Sequence, residues 1–161
     1  MSVNPNWSRW IFASASKHFA DLANGVKFYI EGQPRDTKQT DQEIYEFRQD
    51  GPYYTEATRH QWNAYVEINI LIQAAKLDDD FHRMRRLAGV IEAAFTDIPV
   101  YKYGDTLDDD DSYLGCLKLR QDKRAGERIQ TSHFGQIEKD TNLEQAVVEG
   151  HFDMELDDRG V

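Results

Sequence analysis

Four consecutive aspartates, Asp108, Asp109, Asp110 and Asp111, are the densest group of potential ligands in the chain. Hard divalent cations take carboxylate oxygens, so a cation site is the chemistry such a run invites. Consecutive carboxylates do not reproduce the alternating ligands and central glycine of a calcium loop, however, and the tetrad reads better as a solvated loop or an electrostatic contact surface. Asp78, Asp79 and Asp80 raise the same question and receive a simpler answer. They precede an amphipathic segment, where carboxylates cap free amides and meet the positive end of a helix. The histidines, His18, His60, His82, His133 and His151, are scattered, with no spacing that suits a metal or a nucleophile pair. The nearest approach to acid–base chemistry is Arg59-His60 beside Tyr53, Tyr54 and Thr55, which has no companion motif. Neither a dinucleotide-binding glycine pattern nor a phosphate-binding P-loop occurs. Carboxylate pairs for glycoside cleavage are defined by separation in space, which 29 acidic residues leave undetermined. These residues predict a protein that is not an enzyme and carries no cofactor or resident metal.

Against this acidic background, His82, Arg83, Arg85 and Arg86 form a basic cluster. Its plain reading is a solvated helix face that balances the preceding aspartates. The same cluster suits a contact with Asp108, Asp109, Asp110 and Asp111 of a neighbouring copy. Opposite charges on different faces favour head-to-tail association, which closes into a ring when the rotation allows. Arg83, Arg85, Arg86 and the four aspartates are therefore the candidate interface residues.

The elements that must position them follow from periodicity. Trp7, Trp10 or Ile11, Ala15, His18 or Phe19 and Leu22 recur at helical spacing behind the capping candidates Asn6 and Ser8, and Asn24-Gly25 supplies a left-handed stop. Residues 26–31 read as a short strand, and residues 33–42 as a polar loop. Residues 44–48 alternate briefly as a second strand, which Asp50-Gly51-Pro52 turns toward a third, antiparallel to it. That third strand is the clearest element: Trp62, Ala64, Val66, Ile68, Ile70 and Ile72 line one side, while Tyr65, Glu67, Asn69 and Gln73 line the other. Leu71 is its one plainly apolar exception. Phe81, Met84, Leu87 or Ala88, Ile91 and Phe95 then predict a helix laid back across the sheet. Residues 98–103 look extended, residues 104–112 form an acidic loop, and 113–120 with 128–138 suit a hairpin around a charged turn at 122–126. The last strand alternates Ala146, Val148, Gly150, Phe152, Met154 and Leu156 with Gln145, Glu149, His151, Asp153 and Glu155, one face inward and the other acidic and wet. The expected fold is α+β: a mainly antiparallel sheet of five or six strands with two helices packed on one face.

Composition bounds the function. A chain of 161 residues suits one domain with a sizeable core, and 40% hydrophobic residues can build it. The 30% charged content and the mean hydropathy of -0.73 imply a strongly solvated exterior or long polar loops. Lys and Arg number 19 against 29 Asp and Glu, and the net charge of -10 repels nucleic acid and anionic membrane. Gripping of DNA is disfavoured, but a conduit with repulsive walls is not. Cys116, the one cysteine, reads as a small core residue in an apolar run and fits a reducing compartment. Neither a secretory leader nor a stretch near the ~20 apolar residues of a membrane span is visible. The expectation is a soluble protein made inside a cell, without a membrane partner.

The order of elements resembles the tail terminator proteins of long-tailed bacteriophages. The stretches that carry the likeness are WSRWIFASASKHFADL, HQWNAYVEINILIQ, DDDFHRMRRLAGVIEAAF and EQAVVEGHFDMEL, together under half of the chain. The resemblance implies a homohexameric ring that caps the head-proximal end of the tail tube, stops tube polymerisation and offers a surface for head–tail joining. The implied partners are further copies of the chain, the major tail tube protein and the head-completion or connector protein, with DNA only passing through the lumen. The implied location is the virion tail or neck, assembled in the host cytoplasm, and residues 33–42 and 104–112 become candidate docking loops. The family brings no catalytic residues to carry over. The rival expectations are a head-completion or neck connector subunit, and a small α+β ligand-binding module or enzyme.

Overall fold

The computed structural model describes residues 3–32, 43–75, 82–103, 113–120, 129–136 and 143–159. In chain order these form α1 (Trp7–Asp21), β1 (Lys27–Ile30), β2 (Ile44–Thr58), β3 (Gln61–Ala75), α2 (Arg83–Ala94), β4 (Ile98–Tyr101), β5 (Tyr113–Arg120), β6 (Ile129–Gln136) and β7 (Leu143–Asp157). The expected α+β class is what they build: both helices lie against a curled, mostly antiparallel sheet shaped as a half-barrel, with seven strands where five or six were expected.

The sheet grows outward from β3. All fifteen of its residues pair antiparallel with β7, and β2 pairs antiparallel along its other edge. Alternation then decides what each face meets. Ala64, Val66, Ile68, Ile70, Ile72 and Ala74 of β3 are fully buried, as are Ala146, Val148 and Phe152 of β7 and Tyr45 and Phe47 of β2. The helices cover this side. Trp7, Ile11, Ala15 and Phe19 give α1 one apolar stripe, and Met84, Ala88, Ile91 and Ala94 give α2 another. Burying a side chain of the Ile or Phe class stabilises by roughly 1.5–3 kcal/mol, so these stripes outweigh every polar contact of the layer. Polar contacts set its position instead. The Ser14 hydroxyl accepts the Tyr101 N–H at 3.0 Å, and the Trp10 indole N–H donates to the Tyr103 carbonyl at 2.8 Å, fixing α1 to the end of β4. The predicted left-handed stop is present, with φ of 52° at Asn24 and 85° at Gly25. Leu71, the exception in the β3 pattern, is buried on the opposite side of the sheet, between Glu46 of β2 and Val147 of β7.

Three local expectations are corrected. Asp50-Gly51-Pro52 does not turn the chain: β2 runs on to Thr58, and the three residues form an irregularity where the register shifts between Asp50 and Tyr53. Gly51 adopts φ of 93° within 2.7 Å (as a virtual Cβ) of the Tyr65 carbonyl, a place no side chain fits, and the real turn falls at Arg59-His60. A Gly-Pro pair marks a bulge as readily as a turn, which is why residue types alone misplaced the corner. The predicted hairpin of residues 113–120 with 128–138 does not form either. β5 and β6 instead divide one edge of β7 end to end, β5 pairing with Asp153 to His151 and β6 with Gly150 to Glu144. A strand of fifteen residues offers more edge than either partner can fill, so both dock on it rather than on each other. Finally, β1 joins the sheet edge in parallel with β2. The predicted caps Asp78, Asp79 and Asp80, together with Phe81, lie outside the described residues; α2 begins at Arg83 behind His82.

Candidate assembly surface

The basic cluster is divided by the helix that carries it. Arg83 turns back to the chain and forms a two-pronged ion pair with Glu43, just ahead of β2, so one of the three candidate arginines fastens α2 to the sheet. Arg85 and Arg86 are exposed. Arg85 lies on the flank of α2 turned toward β6, where Met84, Arg85, His133, Gly135, Glu144 and Gln145 surround a shallow depression of about 210 Å³. Two helix turns further on, Glu92 accepts a hydrogen bond from the Thr131 hydroxyl at 2.7 Å, mooring the same flank to β6. The other half of the predicted pairing, Asp108, Asp109, Asp110 and Asp111, lies outside the described residues, as do residues 33–42.

The open side of the sheet carries the opposite charge. Residues out of phase with the core place Glu67 of β3 and Glu149, Asp153, Glu155 and Asp157 of β7 there, as the alternation of β7 predicts. Within this row Arg120 of β5 lies over the Tyr65 ring at 4.4 Å and reaches Asp153 at 3.2 Å. The Tyr65 hydroxyl and His151 Nδ1 are 2.7 Å apart. This network ties β3, β7 and β5 together; Tyr65 and His151 are 86 residues apart, and no local pattern announces it. At the end of the row, the Arg159 guanidinium bonded to Asp157 holds that carboxyl at about 2, well below the usual range, so this one group stays ionised into acid.

The constellation suggested by Tyr53, Tyr54, Thr55, Arg59 and His60 is not brought together. Tyr53 donates to Asp50 at 2.7 Å on the open face, whereas Tyr54 points to the helix side against the Trp7 ring at 5.9 Å. His60 Nδ1 sits 2.8 Å from Asp158, which also accepts the Trp62 indole N–H at 3.4 Å. His60 therefore clips the β2–β3 turn to the end of β7, a structural duty set by the Gln61–Asp157 register. His18 similarly bonds the Ala94 carbonyl at 2.8 Å, joining the last turn of α1 to the end of α2. Cys116 is half-buried, and burial pushes its thiol up, away from reactivity. Among the described residues no group of three or more His, Cys, Asp or Glu side chains is arranged to hold a metal ion, and no helix is long and apolar enough to cross a membrane. No protein-family model matches the chain, and no curated protein matches it in sequence.

Proposed function

We propose that this chain is a virion structural protein, a tail terminator that assembles head to tail into a six-membered ring on the head-proximal end of a phage tail tube. The observation that carries the reading is a predominantly acidic open face of the sheet with an exposed arginine on the helix layer behind it. Arg85 is exposed on the helix layer, beside Glu144, while Glu67, Glu149, Asp153, Glu155 and Asp157 lie with Arg120 on the open face. The sheet and its core stand between the two sets, so one copy cannot pair Arg85 with its own acidic row, whereas a neighbour can. Such a contact uses different patches on the two partners, and repetition of it generates a ring when the rotation closes. The net charge of -10 supports a ring that DNA threads without adhering. Asp108, Asp109, Asp110 and Asp111 remain proposed partners of the same basic residues.

The test is direct. Tail tubes assembled without a terminator are incubated with the purified chain, and negative-stain images and length distributions are recorded. Added ring density at one end and arrested elongation are expected. Continued growth with bare ends overturns the reading, and capture of the chain by portal or neck assemblies in place of tube ends moves it to a neck connector.

A further inference from the structure

The turn that ends α1 leaves a reactive pair of groups unguarded. Across Ala23-Asn24-Gly25-Val26 the Val26 N–H donates to the Ala23 carbonyl at 3.2 Å, and Asn24 and Gly25 form the tip with φ of 52° and 85°. Both tip residues are exposed, and Asn24 borders an open hollow of about 400 Å³ between the ends of the two helices, so water reaches it. Among the described residues neither the Asn24 side-chain amide nor the Gly25 N–H has a hydrogen-bond partner. Neither is the backbone shielded, since a Cβ placed on Gly25 would meet no atom within 4 Å. Each of the other described asparagines lacks one of these conditions. Asn4 precedes Pro5, which has no N–H. Asn6 precedes Trp7, whose N–H donates to the Asn4 carbonyl at 3.1 Å. Asn63 and Asn69 lie in β3, paired on both edges, ahead of the buried Ala64 and Ile70.

We infer that Asn24 is a site of spontaneous covalent modification, a deamidation whose co-reactant is water. The Gly25 nitrogen attacks Asn24 Cγ, a C–N bond forms between them, and the bond from Cγ to the side-chain nitrogen breaks. The Gly25 nitrogen gives its proton to solvent base, while the side-chain nitrogen takes one from water and leaves as ammonia. Water then opens the cyclic imide at either carbonyl and leaves aspartate or isoaspartate, with no change of oxidation state. Ring closure requires the Asn24 Cα–C bond to rotate, and the Val26–Ala23 hydrogen bond is the one bond among the described residues that spans the turn and resists it. The product bears on α1. A new carboxylate stands at the carbonyl pole of the helix, where negative charge is unfavourable. Isoaspartate also adds a methylene to the main chain at the residue whose left-handed conformation stops the helix. The Leu22 and Ala23 N–H groups, which donate to the Phe19 and Ala20 carbonyls at 3.2 and 3.3 Å, make the adjoining bonds and are the first to loosen. The inference is independent of the ring reading.

The experiment ages the full chain in mildly alkaline buffer, folded and, in parallel, unfolded in guanidinium chloride, and follows every asparagine by peptide mapping that distinguishes isoaspartate from aspartate. Asn24 of the folded chain is expected to convert before any other asparagine, and within about tenfold of its rate in the unfolded chain, because the turn adds little to the barrier. Asn24→Gln, which has to close a larger ring, is expected to stay unmodified over the same period. A folded chain whose Asn24 remains intact while the unfolded chain converts overturns the inference, and so does earlier conversion at another asparagine. An equal gain of negative charge in Asn24→Gln places the reaction elsewhere and overturns it as well. The aged form, separated by ion exchange, is then compared with fresh protein by hydrogen exchange. Faster exchange at Leu22 and Ala23 is expected, and unchanged exchange there overturns the dependence of the α1 stop on Asn24.

Discussion

Two tyrosines on the helix side of β2 show how one hydroxyl can stabilise and another do nothing. Tyr45 is fully buried and donates to the Leu87 carbonyl at 2.9 Å, tying β2 to α2. Tyr54 lies against Trp7, and its buried hydroxyl finds no partner among the described residues. Deleting a satisfied buried hydroxyl strands its acceptor, whereas deleting an unsatisfied one removes a desolvation cost. Urea titration should therefore show Tyr45→Phe less stable by about 1 kcal/mol and Tyr54→Phe unchanged or more stable by up to about 1 kcal/mol. Equal losses in both would contradict this assignment. Burial also pushes both phenols up to about 12 from an ordinary value of 10.0. Above pH 10 the unfolded chain sheds these protons while the folded chain keeps them, so the stability is complete below pH 10 and declines as pH rises toward 12. The double Phe variant should lose that part of the alkaline decline.

At the scale of elements, β7 is the strand on which the others depend. One edge is filled by β3 and the other is shared by β5 and β6, and the junction falls at Gly150 and His151. Gly150 is required there for a reason of space. A Cβ at this position would stand 2.7 and 2.8 Å from the Phe95 ring and 3.3 Å from Leu119. Phe95 cannot retreat freely, because its ring packs on Phe152 at 5.9 Å and on Phe19 at 4.9 Å. Gly150→Ala is thus an overpacking substitution, expected to cost about 1–3 kcal/mol in a denaturant titration. A wild-type midpoint would mean that the ring has room the packing does not show. The helix C-termini illustrate the same dependence: His18 joins the last turn of α1 to the Ala94 carbonyl at the end of α2.

Across the whole molecule, stability is distributed by how many neighbours a strand has. β3 is paired on both edges over its length, while β1 and β4 are four-residue strands with a single described partner each. Amide hydrogens that open only with global unfolding belong to the first class, and those released by local opening to the second. Hydrogen exchange followed by mass spectrometry should find slowest exchange in β3 and the middle of β7, with β1 and β4 exchanging earlier. Uniform protection across the sheet would contradict this ordering. The clip of His60 and Trp62 onto Asp158 bears on the same hierarchy, since it holds the distal turn of the longest hairpin to the end of β7.

How much of this was legible follows from what periodicity reports. The pattern of β3 and β7 gave their burial residue by residue, because side chains alternate between faces at a fixed period and only one face meets the helices. The stripes of α1 and α2, the stop at Asn24-Gly25 and the acidic outward face of β7 were readable for the same reason. Of the candidate interface, the sequence located the arginines on a helix but could not tell that Arg83 turns inward to Glu43 while Arg85 flanks β6. A local pattern states which side of an element is apolar and is silent about which partner its edge or its charges will meet. That choice is made among contacts far apart in the chain, where the cost of closing a loop grows only slowly with its length. The amino-acid sequence by itself thus determined the element types, the faces turned to the core and the acidic exterior. The tertiary structure alone decided that β1 joins in parallel, that β5 and β6 share an edge instead of pairing, that His60 meets Asp158, and that the ends of the two helices meet. It did so because each of these depends on the competition between distant segments for one curled sheet.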